Sequence, residues 1–259
     1  MSVPNLPEKY ESEAVIHPAD LLALRRKAGK FPNVPPPEGM AICMRADILR
    51  RLRWRFRLKK IVRTLGDIHL VRSTRGQVGV LSDFGIGAPA LAAFVEEMIA
   101  WGVKRFILLS WGGMLNPSLN EGSIILVDKA IRDEGLSHHY LPPEKYVHAD
   151  DAFIQKVASR LSEHNIKFTL GAAWTTDAPY RETQVEVKQY RSENVQIVEM
   201  ETAALYALAK ARNVGAASIV IAADSLADLS WHPPVDMRRI DRAFDDCLRV
   251  AIDLLDEDA

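Results

Sequence analysis

From residue 66 onward the chain alternates between two regular patterns of apolar and polar positions. Short apolar runs at 78–81, 106–109, 124–127, 168–173 and 217–222 predict buried strands. Between and after them the spacing changes to that of helices. Leu91, Phe94, Val95, Met98 and Ile99 line one face of a predicted helix that Gly102 stops, and further helices are predicted at 152–161, 203–211 and 243–255. Strands alternating with helices predict an α/β domain, largely parallel, with helices on both faces of its sheet. Ligands of such sheets bind beyond the carboxyl ends of the strands.

The first 65 residues are less regular. Residues 1–40 hold Pro4, Pro7, Pro18, Pro32 and the run Pro35-Pro36-Pro37, which predicts an extended arm with one short helix near 18–28. Val15, Ile16, Leu21, Leu22 and Leu24 favour an arm docked on the domain or on a neighbouring subunit. Residues 41–259 then form one domain. The segment 45–63 is basic, with Arg50, Arg51, Arg53, Arg55, Arg57, Lys59, Lys60 and Arg63. Leu52, Trp54, Phe56 and Leu58 alternate with the arginines as in a strand, whereas Leu49, Leu52 and Phe56 share a helix face, and both readings stay open. A polyanion patch and a solvated or subunit-facing surface both fit this charge. The second is preferred, because acids elsewhere balance the arginines.

That balance is close: 33 Lys and Arg against 34 Asp and Glu in 259 residues, a net charge of −1. It argues against a nucleic-acid or membrane partner. No apolar run approaches the roughly 20 residues that span a bilayer, and no basic-then-apolar leader opens the chain. Cys43 and Cys247 lie far apart, which fits a reducing, cytoplasmic setting.

Polar clusters stand where the strands end. Gly85-Ile86-Gly87-Ala88-Pro89 lets backbone N–H groups approach an anion or a sugar at a helix N-terminus. His138 and His139 are adjacent and point apart in an extended segment, so no metal site is expected. The loop Thr175 to Thr183 offers Tyr180 as a ring and Arg181 as a donor fork; a capped turn is its plainer reading. Val198-Glu199-Met200-Glu201 sits at a strand-to-helix junction. There a carboxylate accepts bonds from two vicinal hydroxyls while a thioether covers the apolar face of a sugar, although acids in a first helical turn also serve as simple caps. Asp224 ends the strand at 217–222, as a candidate general acid or a helix cap.

Together these segments resemble the nucleoside phosphorylase family of uridine phosphorylase, hexameric purine nucleoside phosphorylase and methylthioadenosine nucleosidase. The likeness runs from about 78 to 230, through Gly85 to Pro89, the segment 101–106, Gly112-Gly113, Glu121-Gly122-Ser123, the segment 132–142, Thr176-Asp177 and Val198 to Glu201. It implies a three-layer α/β/α fold around a mixed, partly closed sheet. It also implies cleavage of a nucleoside N-glycosidic bond, with phosphate as co-substrate and no other cofactor. Met200 and Glu201 then bind ribose, Asp224 serves the base with Tyr180 and Arg181 nearby, and His17 reaches a neighbouring subunit's ribose in a homodimer or homohexamer.

The departures fall on the phosphate side. The family's Gly-Asp-Pro-x-Arg turn is replaced by Met44-Arg45-Ala46-Asp47-Ile48, its second phosphate arginine by Leu108, and its Gly-Thr by Ser110-Trp111. The pyrimidine-reading Gly-Gln-x-Arg gives way to Tyr180-Arg181-Glu182-Thr183. Gly85, Gly87, Ser110, Trp111 and Arg45 are therefore the expected nucleophile pocket, with Arg72 and Arg75 as further sources of positive charge. Phosphorolysis of a purine-type nucleoside is the first reading, a phosphate-independent nucleosidase the second, and an inactive nucleoside-binding homologue the third.

Overall fold

The computed structural model describes residues 6–257. The first five residues of the arm and residues 258 and 259 of the domain lie outside them. The strands are β1 (Gly39–Cys43), β2 (Leu58–Arg63), β3 (Asp67–Val71), β4 (Val78–Ser82), β5 (Arg105–Met114), β6 (Ile124–Asp133), β7 (Tyr146–His148), β8 (Thr169–Thr176), β9 (Val195–Glu199) and β10 (Gly215–Ser225). The α-helices are α1 (Pro18–Lys27), α2 (Ala46–Leu52), α3 (Ala88–Trp101), α4 (Asp151–Glu163), α5 (Gln184–Ser192), α6 (Thr202–Arg212) and α7 (Met237–Glu257).

All strands join one mixed sheet. Its order is β2-β3-β4-β1-β5-β9-β8-β6-β10, with β7 paired to β6. The far strand β10 returns to pair with β5, so β5, β9, β8, β6 and β10 close into a ring while β1 to β4 extend from it as an open wing. One core lies between the sheet and α3 and α6, around Phe94, Met98, Leu205 and Tyr206. The other lies under α2, α4 and α7, around Ile48, Phe153, Phe244 and Leu248. This is the three-layer architecture with a partly closed sheet that the resemblance implied.

The basic segment contains both a helix and a strand. Ile48 and Leu49 of α2 are buried, and the chain then turns into β2, which pairs with β3. Lys59 and Lys60 are exposed on β2, where charge protects a sheet edge from stray pairing. Arg51 and Arg55 pair with Asp241 and Asp245 of α7, so helix acids answer part of this charge.

Residues of the arm pack along α3. Leu22 is buried, Arg25 pairs with Glu97, and Phe31 meets Trp101 edge-on. Trp101 Nε1 donates to the Val34 carbonyl at 3.3 Å. Val15 and Ile16, by contrast, are exposed.

Tyr206 ties the ring to α6. Its hydroxyl donates to the Val127 carbonyl at 2.6 Å and accepts from the Ser218 N–H at 3.0 Å, linking β6 and β10 through one buried oxygen. Tyr206→Phe strands both backbone groups without water. We expect a loss of about 1–3 kcal/mol in urea unfolding, with an unchanged m-value.

Candidate active site

Two glycines let β9 cross β5. The strands pair antiparallel at Gly113 with Val198 and at Met114 with Ile197. A Cβ on Gly112 would stand 2.2 Å from the Val198 carbonyl oxygen, so only glycine permits the approach. Continued past Val198, that register brings Glu201 level with Ser110. Glu201 Oε2 accepts from Ser110 Oγ at 3.3 Å, and Oε1 accepts from the Gly87 N–H at 2.7 Å. Gly87 precedes α3, so the carboxylate also faces the positive end of that helix. Met200 lies beside it, with its methyl 3.8 Å from where a Gly87 Cβ would be.

Glu199 does different work. Its Oε2 accepts the N–H groups of Glu201 and Thr202, each at 2.8 Å, and so caps α6. Its Oε1 accepts from Thr175 Oγ1, which in turn accepts the Ala203 N–H. With Glu199 as the cap, the Glu201 side chain is left to face the strand ends.

Asp224 enters through an irregularity. The pairing of β10 with β5 shifts register between Ala222 and Ser225, and this bulge turns Asp224 toward Gly113. Its Oδ2 is 3.4 Å from an ideal Gly113 Cβ. The same oxygen accepts from Trp231 Nε1 at 2.8 Å, and Trp231 is itself largely exposed. Glu201 marks Ser110 and Asp224 marks Gly113, three residues apart on β5, positions whose side chains leave opposite faces of that strand.

The expected nucleophile pocket is arranged differently from the sequence reading. Gly85 and Gly87 both have positive φ, at 95° and 89°. The Gly87 N–H and the Ser110 hydroxyl, however, serve Glu201 here. Trp111 points off the other side of β5 from Ser110, as strand alternation requires. Its ring carries the Arg45 guanidinium at 4.6 Å. Arg45 also forks onto Asp47 at 2.8 and 2.6 Å and reaches Asp241 at 3.3 Å, while its buried Nη1 has no partner. The two carboxylates offset its charge, and Arg45 in turn holds the Asp47 carboxyl down at about 2. Arg72 and Arg75 do not reach this end. They precede β4, whereas Gly85 follows it, and five strand residues separate the ends by about 16 Å. Arg63 comes nearer, pairing with Asp83 just before the turn at 2.5 Å. Its membership of the basic segment was the only sequence signal for it.

On the base side, Tyr180 is fully exposed, and Arg181 is exposed without an ion pair among the described residues. Neither is gathered to Asp224 within one chain. Glu182 is instead half-buried, and burial, then the Asp224 charge, push its carboxyl up to about 7. In the sequence it stood only as part of the segment that replaces the pyrimidine-reading motif. His17 lines a groove with Glu96, Ile99, Tyr140 and Arg212. Ile99 is twelve residues along α3 from Gly87, about 18 Å away, so His17 is not brought to its own chain's Glu201. His138 and His139 have separate partners, Arg132 and Lys9. Among the described residues no group of three His, Cys, Asp or Glu is placed to hold a metal ion, and no helix is long and apolar enough to cross a membrane.

Burial raises the carboxyl pKa of both Glu199 and Glu201, and for Glu199 the charge of Glu201 adds to the rise. A carboxyl raised on folding contributes stability that is full below its unfolded value, near 4.5, and is lost as pH rises through the folded value. Urea midpoints should therefore fall as pH is raised from 5 toward neutrality and beyond. Glu201→Gln, which removes the second charge, should flatten that fall.

Known proteins share this fold. A uridine phosphorylase of Haemophilus influenzae is 26% identical over 187 residues, covering 63% of this chain and 74% of its own. A DeoD-type purine nucleoside phosphorylase of Bacillus cytotoxicus is 27% identical over 183 residues, covering 66% and 78%. The crystal structure of a uridine phosphorylase from Vibrio fischeri superposes with a TM-score of 0.70 at 21% identity, over 85% of this chain and 91% of its own. The family model of the phosphorylase superfamily matches residues 55–255. With most of its length inside that match, this chain belongs to the phosphorylase superfamily.

Proposed function

We propose that this chain cleaves the N-glycosidic bond of a nucleoside, with a purine as leaving base and inorganic phosphate as nucleophile. The observation that carries the reading is Glu201: a buried carboxyl group, braced by Gly87 and Ser110 and flanked by Met200. In this reading Glu201 accepts the ribose 2′- and 3′-hydroxyls and Met200 covers the sugar. As the C1′–N bond lengthens, positive charge grows on the sugar and the bonding electrons pass to the base. The carboxylate steadies the first, and a proton delivered to a ring nitrogen beside Asp224 neutralises the second. A phosphate oxygen bonds to C1′ from the opposite face, giving free base and ribose 1-phosphate. No cofactor is needed.

The relatives named for phosphorolysis of uridine and of purine nucleosides support the reaction class. The resemblance, which sets Asp224 on the base side of purine-specific members, supports a purine. The Arg45 cluster favours the second reading, hydrolysis by water. Its guanidinium is answered by Asp47 and Asp241, which weakens its draw on an anion. We extend the first reading to shared sites, with His17 reaching the ribose of a second copy of this chain.

Base release from adenosine, inosine and uridine, followed with and without phosphate, separates the readings. Phosphate-dependent release is expected. Release that ignores phosphate would establish hydrolysis, and binding without release would leave a nucleoside-binding homologue. Glu201→Gln should lower kcat/KM by about 10²-fold while the circular dichroism spectrum is unchanged. An equally active variant would remove Glu201 from the sugar site. Sizing should give a dimer or hexamer. A fully active monomer would remove His17 from the site.

A further inference from the structure

The basic segment leaves two arginines that no acid answers. Arg51 and Arg55 face Asp241 and Asp245 of α7, but Arg50 and Arg53 form no ion pair among the described residues. They stand three residues apart at the end of α2, so both side chains leave the same face of that helix. Arg53 also lies against the Trp54 ring, 5.0 Å from its centroid. Between this face and the open wing of β2, β3 and β4 is a cavity of about 270 Å³. Arg50, Arg53 and Lys60 line its exposed rim, and His69 and Ser82 line it from the strands.

Strand alternation builds the floor. Val78 and Val80 of β4 pack in the core under α2 and α7, and the buried Ser82 is the next residue on that face. The register of β2 on β3 sets Lys60 directly opposite His69. Burial pushes the His69 pKa down, opposed by the charge of Asp67 and assisted by those of Lys60 and Arg53. Asp67 and Asp83 also line the cavity, and both are already taken. Asp67 pairs with Lys60 at 2.7 Å and with Arg63 at 2.9 Å, and Asp83 pairs with Arg63 at 2.5 Å. Lys60 and Arg63 thus offset the two acids, which leaves Arg50 and Arg53 as the uncompensated charge of the cavity. An arginine fork matches phosphate oxygens with parallel N–H···O bonds. None of the lining residues belongs to the Glu201 site or to the expected nucleophile pocket.

We infer that this cavity binds a small phosphate monoester, at a site separate from the one around Glu201. The phosphate meets Arg50 and Arg53 at the rim, and the hydroxyl-bearing remainder of the ester lies toward His69 and Ser82. The volume falls just below the roughly 300 Å³ at which pockets for drug-sized ligands begin, which suits a small ester better than a nucleotide. The net charge of −1 on the whole chain argues against a nucleic-acid strand as the occupant. The inference does not depend on the nucleoside reading, since it uses none of that site's residues.

The test is calorimetry with glycerol 3-phosphate and ribose 5-phosphate, against glycerol and ribose, on three proteins: the wild type, the double variant Arg50→Ala with Arg53→Ala, and Glu201→Gln. The wild type should bind both esters and neither neutral compound. The double variant should bind the esters at least about tenfold more weakly, the worth of one lost hydrogen bond to a charged group. Both arginines are exposed, so its circular dichroism spectrum should match the wild type. Glu201→Gln should bind the esters as the wild type does. Inorganic phosphate should displace them only at higher concentration, because it leaves the space toward Ser82 unfilled. Four results overturn the inference. They are equal affinity in the double variant, loss of binding in Glu201→Gln, displacement by inorganic phosphate at a lower concentration than the ester, and binding of a single-stranded oligonucleotide in place of both esters.

Discussion

The Glu199 carboxylate holds the first turn of α6, and the candidate site is built on that cap. A helix that starts directly after a buried strand leaves its leading N–H groups without partners or water. Here one side chain answers two of them, and Thr175 answers a third. Glu201 has no capping duty of its own, so its carboxylate is free to sit between the α3 N-terminus and Ser110. Two neighbouring glutamates that look alike in sequence therefore divide into a cap on α6 and a group turned to Gly87 and Ser110.

The second constraint is the closure of the sheet. Because β10 pairs with both β6 and β5, the strand carrying Asp224 runs beside the one that positions Glu201. The glycine pair 112 and 113 lets β9 cross on one side and leaves room for Asp224 and Leu226 on the other. The bulge before Ser225 then selects which side chain faces inward. These are backbone devices, set by strand pairing.

The anion side follows a different logic. Where the family's turn is lost, the chain has placed an arginine, a tryptophan and two aspartates that satisfy one another. Breaking such a half-buried ion pair leaves an uncompensated charge, so the cluster resists piecemeal change. An incoming anion has to compete with Asp47 for the same guanidinium. The Arg45 Nη1, without a hydrogen-bond partner among the described residues, is itself buried.

Much of this was legible in the residues. The apolar runs located β4, β5, β6, β8 and β10, and Val198 to Glu201 located a buried acid at a strand end, because periodicity and a strand-to-helix junction are local properties. Tertiary structure decided the rest. It divided 45–63 into a helix and an edge strand according to what α7 and β3 cover. It turned Tyr180 and Arg181 outward and Glu182 inward, set Arg72 and Arg75 at the wrong end of β4, and kept His17 far from its own chain's Glu201. A side chain's direction at a loop, and the charge it faces, come from segments distant in sequence, and no spacing along one stretch encodes them. Residue type and period determined the layers and one acid of this protein, while sheet closure and a single bulge decided which groups share a site with it.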